Sequence, residues 1–346
     1  MSAPTAGTYP FGAPELVATW DGHAWDGHTE DDSEDHTDQA EVPTWQRRPL
    51  PFLSKRWFWL MVLGALLVFL PAWLASGTDS KPLAVTSVVG FAVFMSGSVL
   101  IVGQHVRFNQ LAAVRSLVGW GIAAGVVGFA IANVLESVVE PRVTSFGVEL
   151  WLAGPVEETT KLLVPVALLA FGGARFKDPR AGLLLGLISG AVFGVLEGVL
   201  YVAGNASGYG IAYYGLVRPT AELMHPWLTG FAAAVIWLAA WRAGRTVTAA
   251  GVIAWLAAIA LHSLHDGIAT IGTTASPAVL SFSELTPSLW AEAAALNGYN
   301  ILWAVILFLI CRHAARELVP PDAIADNPPH WRPQLKQWGV RPAVAS

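Results

Sequence analysis

Between about residues 57 and 311 the chain is a series of apolar runs, each roughly 20 residues long, and several of them hold charged residues in their interiors. A run of that length crosses a hydrocarbon core of about 30 Å as a helix. Lipid offers the backbone no hydrogen bonds, so spanning segments must be helices or closed barrels. The expected fold class is therefore all-α, a polytopic membrane helix bundle. Composition agrees, because 54% of the residues are hydrophobic and only 13% are charged, against about one quarter charged in a soluble domain. Length and flanking charge predict about eight transmembrane helices, near residues 57–76, 83–103, 117–138, 148–171, 181–203, 217–241, 247–270 and 294–311.

Lysines and arginines orient these spans, since cytoplasmic loops carry the excess. Arg47, Arg48, Lys55 and Arg56 precede the first span, and Arg107 and Arg115 follow the second. Arg175, Lys177 and Arg180 follow the fourth, Arg242 and Arg245 the sixth, and Arg312 and Arg316 the eighth. The alternate loops hold only Lys81 and Arg142. Both termini are thus expected in the cytoplasm.

The domain plan that follows has three parts. Residues 1–55, with "DGHAWDGHTEDDSEDH", form an acidic tail with little to pack, expected to be disordered. Residues 56–316 form the membrane domain, with its chemistry in 148–270, and residues 317–346 a Pro-rich cytoplasmic tail. The tail repeats "WDGH" at 20–23 and 25–28. A weak metal role for its His23, His28 and His36 competes with a simply solvated segment, which is the better account. No apolar signal-peptide core precedes Trp57, so the tail is not expected to be a cleaved leader. Cys311 is the single cysteine, which excludes an intrachain disulfide and a cysteine-based metal site.

Charge near the middle of a bilayer costs about 2.5–3.5 kcal/mol per residue on insertion scales and marks a functional site by default. The charged or imidazole groups within the spans cluster in the fourth to seventh: Glu157, Glu158 and Lys161, then Glu197, then His225, then His262, His265 and Asp266. One such residue alone would be explained by a pair that locks two helices; recurrence in four consecutive spans points to a shared site. At 1.5 Å rise per residue, Glu157 lies about 14 Å, Glu197 about 9 Å, and His225 and His262 about 12 Å from the outward end of their spans. All four occupy the outward half of the bilayer and can meet there.

Helical spacing groups the side chains further. His262 and Asp266 are four apart and share a face, as are Glu157 and Lys161 in the favoured ion-pair order. Glu157 and Glu158 differ by about 100° around the axis, so one acts directly while the other orients it or faces Lys161. Pro155, Pro165 and Pro226 lie beside these residues. Pro155 either kinks its helix or opens a new helical segment, which would set the glutamates at a positive dipole end. Glycines 182, 186, 190, 194 and 198 form a small-residue stripe on the fifth span, beside the row Phe193, Glu197 and Tyr201, so Glu197 is held against a closely packed neighbour.

These residues together resemble the PrsW family of intramembrane metalloproteases, distant relatives of the CAAX prenyl proteases and bacteriocin-processing enzymes. The family's EExxK, FxxxE and HxxxD motifs read here as "EETTK" (157–161), "FGVLE" (193–197) and "HSLHD" (262–266), and "RPTAELMHPWLTG" (218–230) corresponds to its arginine-then-histidine stretch. The likeness spans about residues 85–315 and implies an intramembrane endopeptidase of a bacterial cytoplasmic membrane. A membrane-anchored protein, such as an anti-sigma factor, would be its substrate. Lipid and that substrate are the expected partners, with no nucleic acid.

Peptide hydrolysis needs an activated water and a stabilised oxyanion. Imidazoles and carboxylates without thiolates suit zinc or another divalent metal, and three protein ligands leave a position for water. In the metal-dependent version His225, His262 and Asp266 are the ligands, with Glu197 as an alternative, and Glu157 or Glu158 is the base beside Lys161. In the metal-free version, Glu157 and Glu197 activate water while His262 and Asp266 support the oxyanion. The competing class is a proton-coupled transporter or channel using the same cluster. No internal repeat relates the two halves, which weighs against it. A scaffold recruiting partners through the acidic tail would leave the buried charges unexplained.

Overall fold

The computed structural model describes residues 7–10, 17–20, 25–26, 55–74, 81–106, 108, 111, 113–139, 142–143, 146–201, 211–271, 283 and 285–318. The chain divides into two units, one comprising residues 1–54 with 319–346, the other residues 55–318. In the first unit the described residues are three short antiparallel strands, β1 (Gly7–Pro10), β2 (Val17–Trp20) and β3 (Trp25–Asp26), in that order. Thr8 pairs with Thr19, and the two tryptophans of the repeat, Trp20 and Trp25, stand opposite each other. Threonine, valine, tyrosine and tryptophan favour paired strands there despite the surrounding acidity, and the rest of the tail expected to be disordered lies outside the described residues. His23, His28 and His36 lie outside the described residues.

The second unit is all helix. Its elements are α1 (Arg56–Leu74), α2 (Lys81–Val106), α3 (Val114–Val139), α4 (Phe146–Phe171), α5 (Pro179–Val199), α6 (Ile211–Ala221), α7 (Met224–Ala243), α8 (Ala249–Ile271) and α9 (Pro287–Arg316). Among the described residues, six segments are long and apolar enough to cross a membrane: residues 86–103 of α2, α3, α5, residues 215–243 across α6 and α7, residues 249–269 of α8, and α9. The chain is a multi-pass membrane protein. Of the eight expected spans, the apolar part of α1 is shorter, Arg56–Pro71, and α4 is long enough but carries Glu157, Glu158 and Lys161. The charges that lower its hydropathy are the ones that form the site.

Helix ends follow their sequence signals. The Asp178 side chain accepts from the Arg180 N–H at 2.8 Å with Pro179 opening α5, and Thr286 accepts from the Leu289 N–H with Pro287 opening α9. Helix α5 lies at the centre, packed on α2, α3, α4 and α7, while α8 closes on α4 and α7. Its glycine stripe explains the close approach. A Cβ on Gly190 would meet the backbone of His225 and Pro226, and one on Gly186 would fall 2.7 Å from the Thr229 carbonyl oxygen.

Helix α4 runs unbroken through Pro155 and Pro165, so the glutamates sit inside a helix and not at the start of a new one. Each proline lacks the N–H that would bond the carbonyl four residues before it. Those two carbonyls, of Trp151 and Lys161, are bonded from outside instead. Ser263 Oγ of α8 donates to Trp151 O at 2.9 Å, and Ser189 Oγ of α5 donates to Lys161 O at 2.7 Å. Buried backbone groups freed by proline are thereby satisfied by neighbouring helices, and α4 is fastened to both sides of the site.

Candidate active site

Glu157, Glu158 and Lys161 of α4, Glu197 of α5, His225 of α7, and His262 and Asp266 of α8 come together in one cluster. Lys161 is its hub. Its Nζ lies 2.7 Å from Glu158 Oε1, 3.2 Å from Glu157 Oε2 and 2.8 Å from His225 Nδ1, and 4.4 Å above the Phe193 ring. The ammonium is fully buried, which is tolerable because two carboxylates, an imidazole and an aromatic face surround it.

The two glutamates divide the labour that their 100° separation implied. Glu158 is fully engaged: Oε1 takes Lys161 and His262 Nδ1 (2.9 Å), and Oε2 accepts from Thr229 Oγ1 (3.1 Å). Glu157 Oε2 faces inward, 3.6 Å from His262 Nε2 and 3.8 Å from His225 Nδ1. Neither Glu157 Oε2 nor His262 Nε2 completes a hydrogen bond. The two imidazole rings stand 5.4 Å apart, edge to face.

Hydrogen-bond chemistry assigns the ring protons. Lysine only donates, and an ionised carboxylate only accepts. His225 Nδ1, against Lys161, is therefore the acceptor, and its Nε2 faces Glu197 Oε2 (2.9 Å) and Glu222 Oε2 (3.0 Å). His262 Nδ1–H is donated to Glu158, and Nε2 faces Asp266 Oδ2 at 3.2 Å and Glu157 Oε2 at 3.6 Å. Asp266 Oδ1 accepts from His265 Nδ1 at 3.0 Å. His265 itself packs on Tyr299 and reaches Asn300. It braces Asp266 against α9.

Two residues were not singled out from the sequence. Arg218 Nη2 bridges Glu197 Oε1 (2.9 Å) and Glu222 Oε1 (2.7 Å), and Glu222 is fully buried against His225. Their i, i+4 and i, i+3 spacing with each other and with His225 was the available signal. The expected single span over 217–241 hid it. The structure breaks the helix at Glu222 and Leu223, so α6 ends at Ala221 and α7 begins at Met224. Pro226 thus lies in the first turn of α7, where its missing N–H costs nothing, and not at a kink.

The donor set fits a divalent metal. Glu157, His225 and His262 offer ligand atoms all within 4.8 Å of one another, and Glu197, Glu222 and His225 form a second such set. The second already surrounds the Arg218 guanidinium. In the first, imidazole nitrogens and a carboxylate oxygen converge. Five carboxylates, counting Glu222, face two fixed cations, Lys161 and Arg218. A buried excess of negative charge demands compensation, which bound protons or a metal would supply. A separate cavity of about 630 Å³ between α7 and α9, bordered by Leu238, Arg242, His313 and Glu317, includes none of these residues.

The model of the PrsW family intramembrane metalloproteases matches residues 109–309, more than half of the chain and every residue of the cluster. No curated protein and no solved structure gives a significant match.

Proposed function

The chain is a member of the PrsW family of intramembrane metalloproteases, and we propose that it hydrolyses a peptide bond of a membrane-anchored protein in the outward half of a bacterial cytoplasmic membrane. Both termini face the cytoplasm in this reading, on the strength of the basic loops. A membrane-anchored anti-sigma factor is the substrate class that the resemblance brings. The observation that carries the proposal is the meeting of Glu157 Oε2 with His262 Nε2, 3.6 Å away, inside a buried cluster of carboxylates and imidazoles.

His225, His262 and Asp266 would hold the metal, zinc being the one these donors suit. A bound metal supplies Lewis acidity to the water and the scissile carbonyl. Glu157 Oε2 stands beside that position and takes the proton from water as its oxygen attacks the carbonyl carbon. The same carboxyl then delivers the proton to the departing amine as the C–N bond breaks. Glu158 holds His262 by its Nδ1–H and so keeps Nε2 turned inward. Lys161 pairs with Glu157 and Glu158, bonds His225, and keeps them in register. Glu197, 2.9 Å from His225 Nε2, is an orienting group.

The test is cleavage of a single-span peptide by the purified protein in a bilayer, with metal content measured alongside. Wild type is expected to cleave, Glu157→Gln to bind metal without cleaving, and His262→Ala to lose both. Cleavage by Glu157→Gln would remove it as the base. Loss of metal from Glu157→Gln would make it a ligand instead. Substrate-driven flux without cleavage by wild type would favour a transporter.

A further inference from the structure

Glu222 is a fully buried carboxylate at the turn between α6 and α7, three residues before His225. Its Oε2 is 3.0 Å from His225 Nε2 and its Oε1 2.7 Å from Arg218 Nη2. Its backbone is tied to the same partners: its N–H donates to Arg218 O at 3.1 Å, and its carbonyl accepts from the His225 N–H at 3.4 Å. The guanidinium is itself fixed, stacked 3.7 Å over the Tyr201 ring and bonded to Glu197 Oε1. On the other side of the imidazole, a Cβ at Gly194 would come within 2.9 Å of His225 Cδ2, so the ring lies flat against α5.

We propose that Glu222, braced by Arg218, is a positioning residue that fixes the rotation of the His225 ring within the cluster. The inference rests on the reading of His225 as a metal ligand. An imidazole ligand needs its second nitrogen held, usually by a carboxylate. Glu197 also reaches Nε2, but it projects from α5 and its side chain is 16% exposed. Glu222 is sealed from solvent and belongs to the same turn as the ring it holds. Arg218 makes this grip possible, because two carboxylates about one imidazole would repel each other without a shared cation.

Zinc affinity of the purified full chain, by competition with a chromogenic chelator, tests this separately from activity. Wild type should bind zinc and His225→Ala should lose it. Glu222→Gln, similar in shape but without the charge, should bind zinc about 10–100-fold more weakly while remaining folded. If wild type takes up no zinc, or His225→Ala keeps it, the parent reading fails. If His225→Ala loses zinc and folded Glu222→Gln binds it as wild type does, only the role of Glu222 is overturned. The same holds if its thermal stability falls with zinc affinity unchanged. Should Glu222→Gln not fold, Glu222→Asp decides by the same measurement, because it keeps the charge and withdraws the oxygens from Nε2. Tenfold or greater weakening supports the role, and wild-type affinity overturns it.

Discussion

His225 is gripped at both ring nitrogens by groups of opposite kind, an ammonium at Nδ1 and carboxylates at Nε2. The cluster is therefore a chain of directed contacts, and the two adjacent glutamates should fail differently. Glu157→Gln is expected to lower the cleavage rate by about 10²–10⁴-fold, the usual contribution of a general base, with the thermal midpoint little changed. Glu158→Gln strips Lys161 and His262 of their shared partner at 2.7 and 2.9 Å. It should cost about 3–5 kcal/mol of stability, as breaking a buried pair does, and should weaken zinc binding as well. Denaturant melts of the two variants side by side check the contrast. Seven site residues were legible because charge is so costly among apolar neighbours that each stood out singly. Glu222 was not, because beside Arg218 and Pro219 it looked like the ordinary polar end of a span. Thr229, which satisfies Glu158, was invisible for the same reason that hydroxyls are cheap in a helix.

Elements are held in place by what proline removes. In α4 the freed carbonyls of Trp151 and Lys161 are each bonded by a serine from a different helix, so Ser189→Ala should cost about 1–3 kcal/mol for an unsatisfied buried acceptor. Pro165→Ala restores the internal N–H, and in that background Ser189→Ala should cost measurably less. A double-mutant cycle with no coupling would show that the serine does not serve the proline gap. Close approach is the other device. Gly190→Ala should push α7 from α5, because its Cβ would press on the His225 backbone, lowering both stability and cleavage. Gly119→Ala, whose Cβ meets nothing within 4 Å, should be neutral or slightly stabilising. The glycine period and the prolines were plain in the sequence. That Ser189 and Ser263 answer the prolines was not, because the pairing depends on which helices become neighbours.

For the molecule as a whole, a metal that binds only the folded state adds stability. Zinc at about 100 times its Kd should stabilise by roughly 2.7 kcal/mol, and a chelator should lower the thermal midpoint and stop cleavage, with zinc restoring both. The orientation read from basic loops predicts that Ser281→Cys reacts with an impermeant thiol reagent from outside, whereas Lys177→Cys reacts only after permeabilisation. Cys311 stays silent because it is buried. Span number and order came from hydropathy, while the pairing of α5 with four helices required the folded arrangement.

The burial of the cluster has a last consequence. Asp266, Arg218 and Glu197, at 20%, 18% and 16% side-chain exposure, lie near its edge, and the residues deeper in are sealed. A transmembrane segment arriving as an intact coil keeps each amide wrapped in its own ladder, and no such cylinder fits between side chains already touching. The guest must fray first. Selection should therefore fall on how easily a stretch unwinds, so glycines or prolines near the scissile bond should matter more than any one flanking side chain.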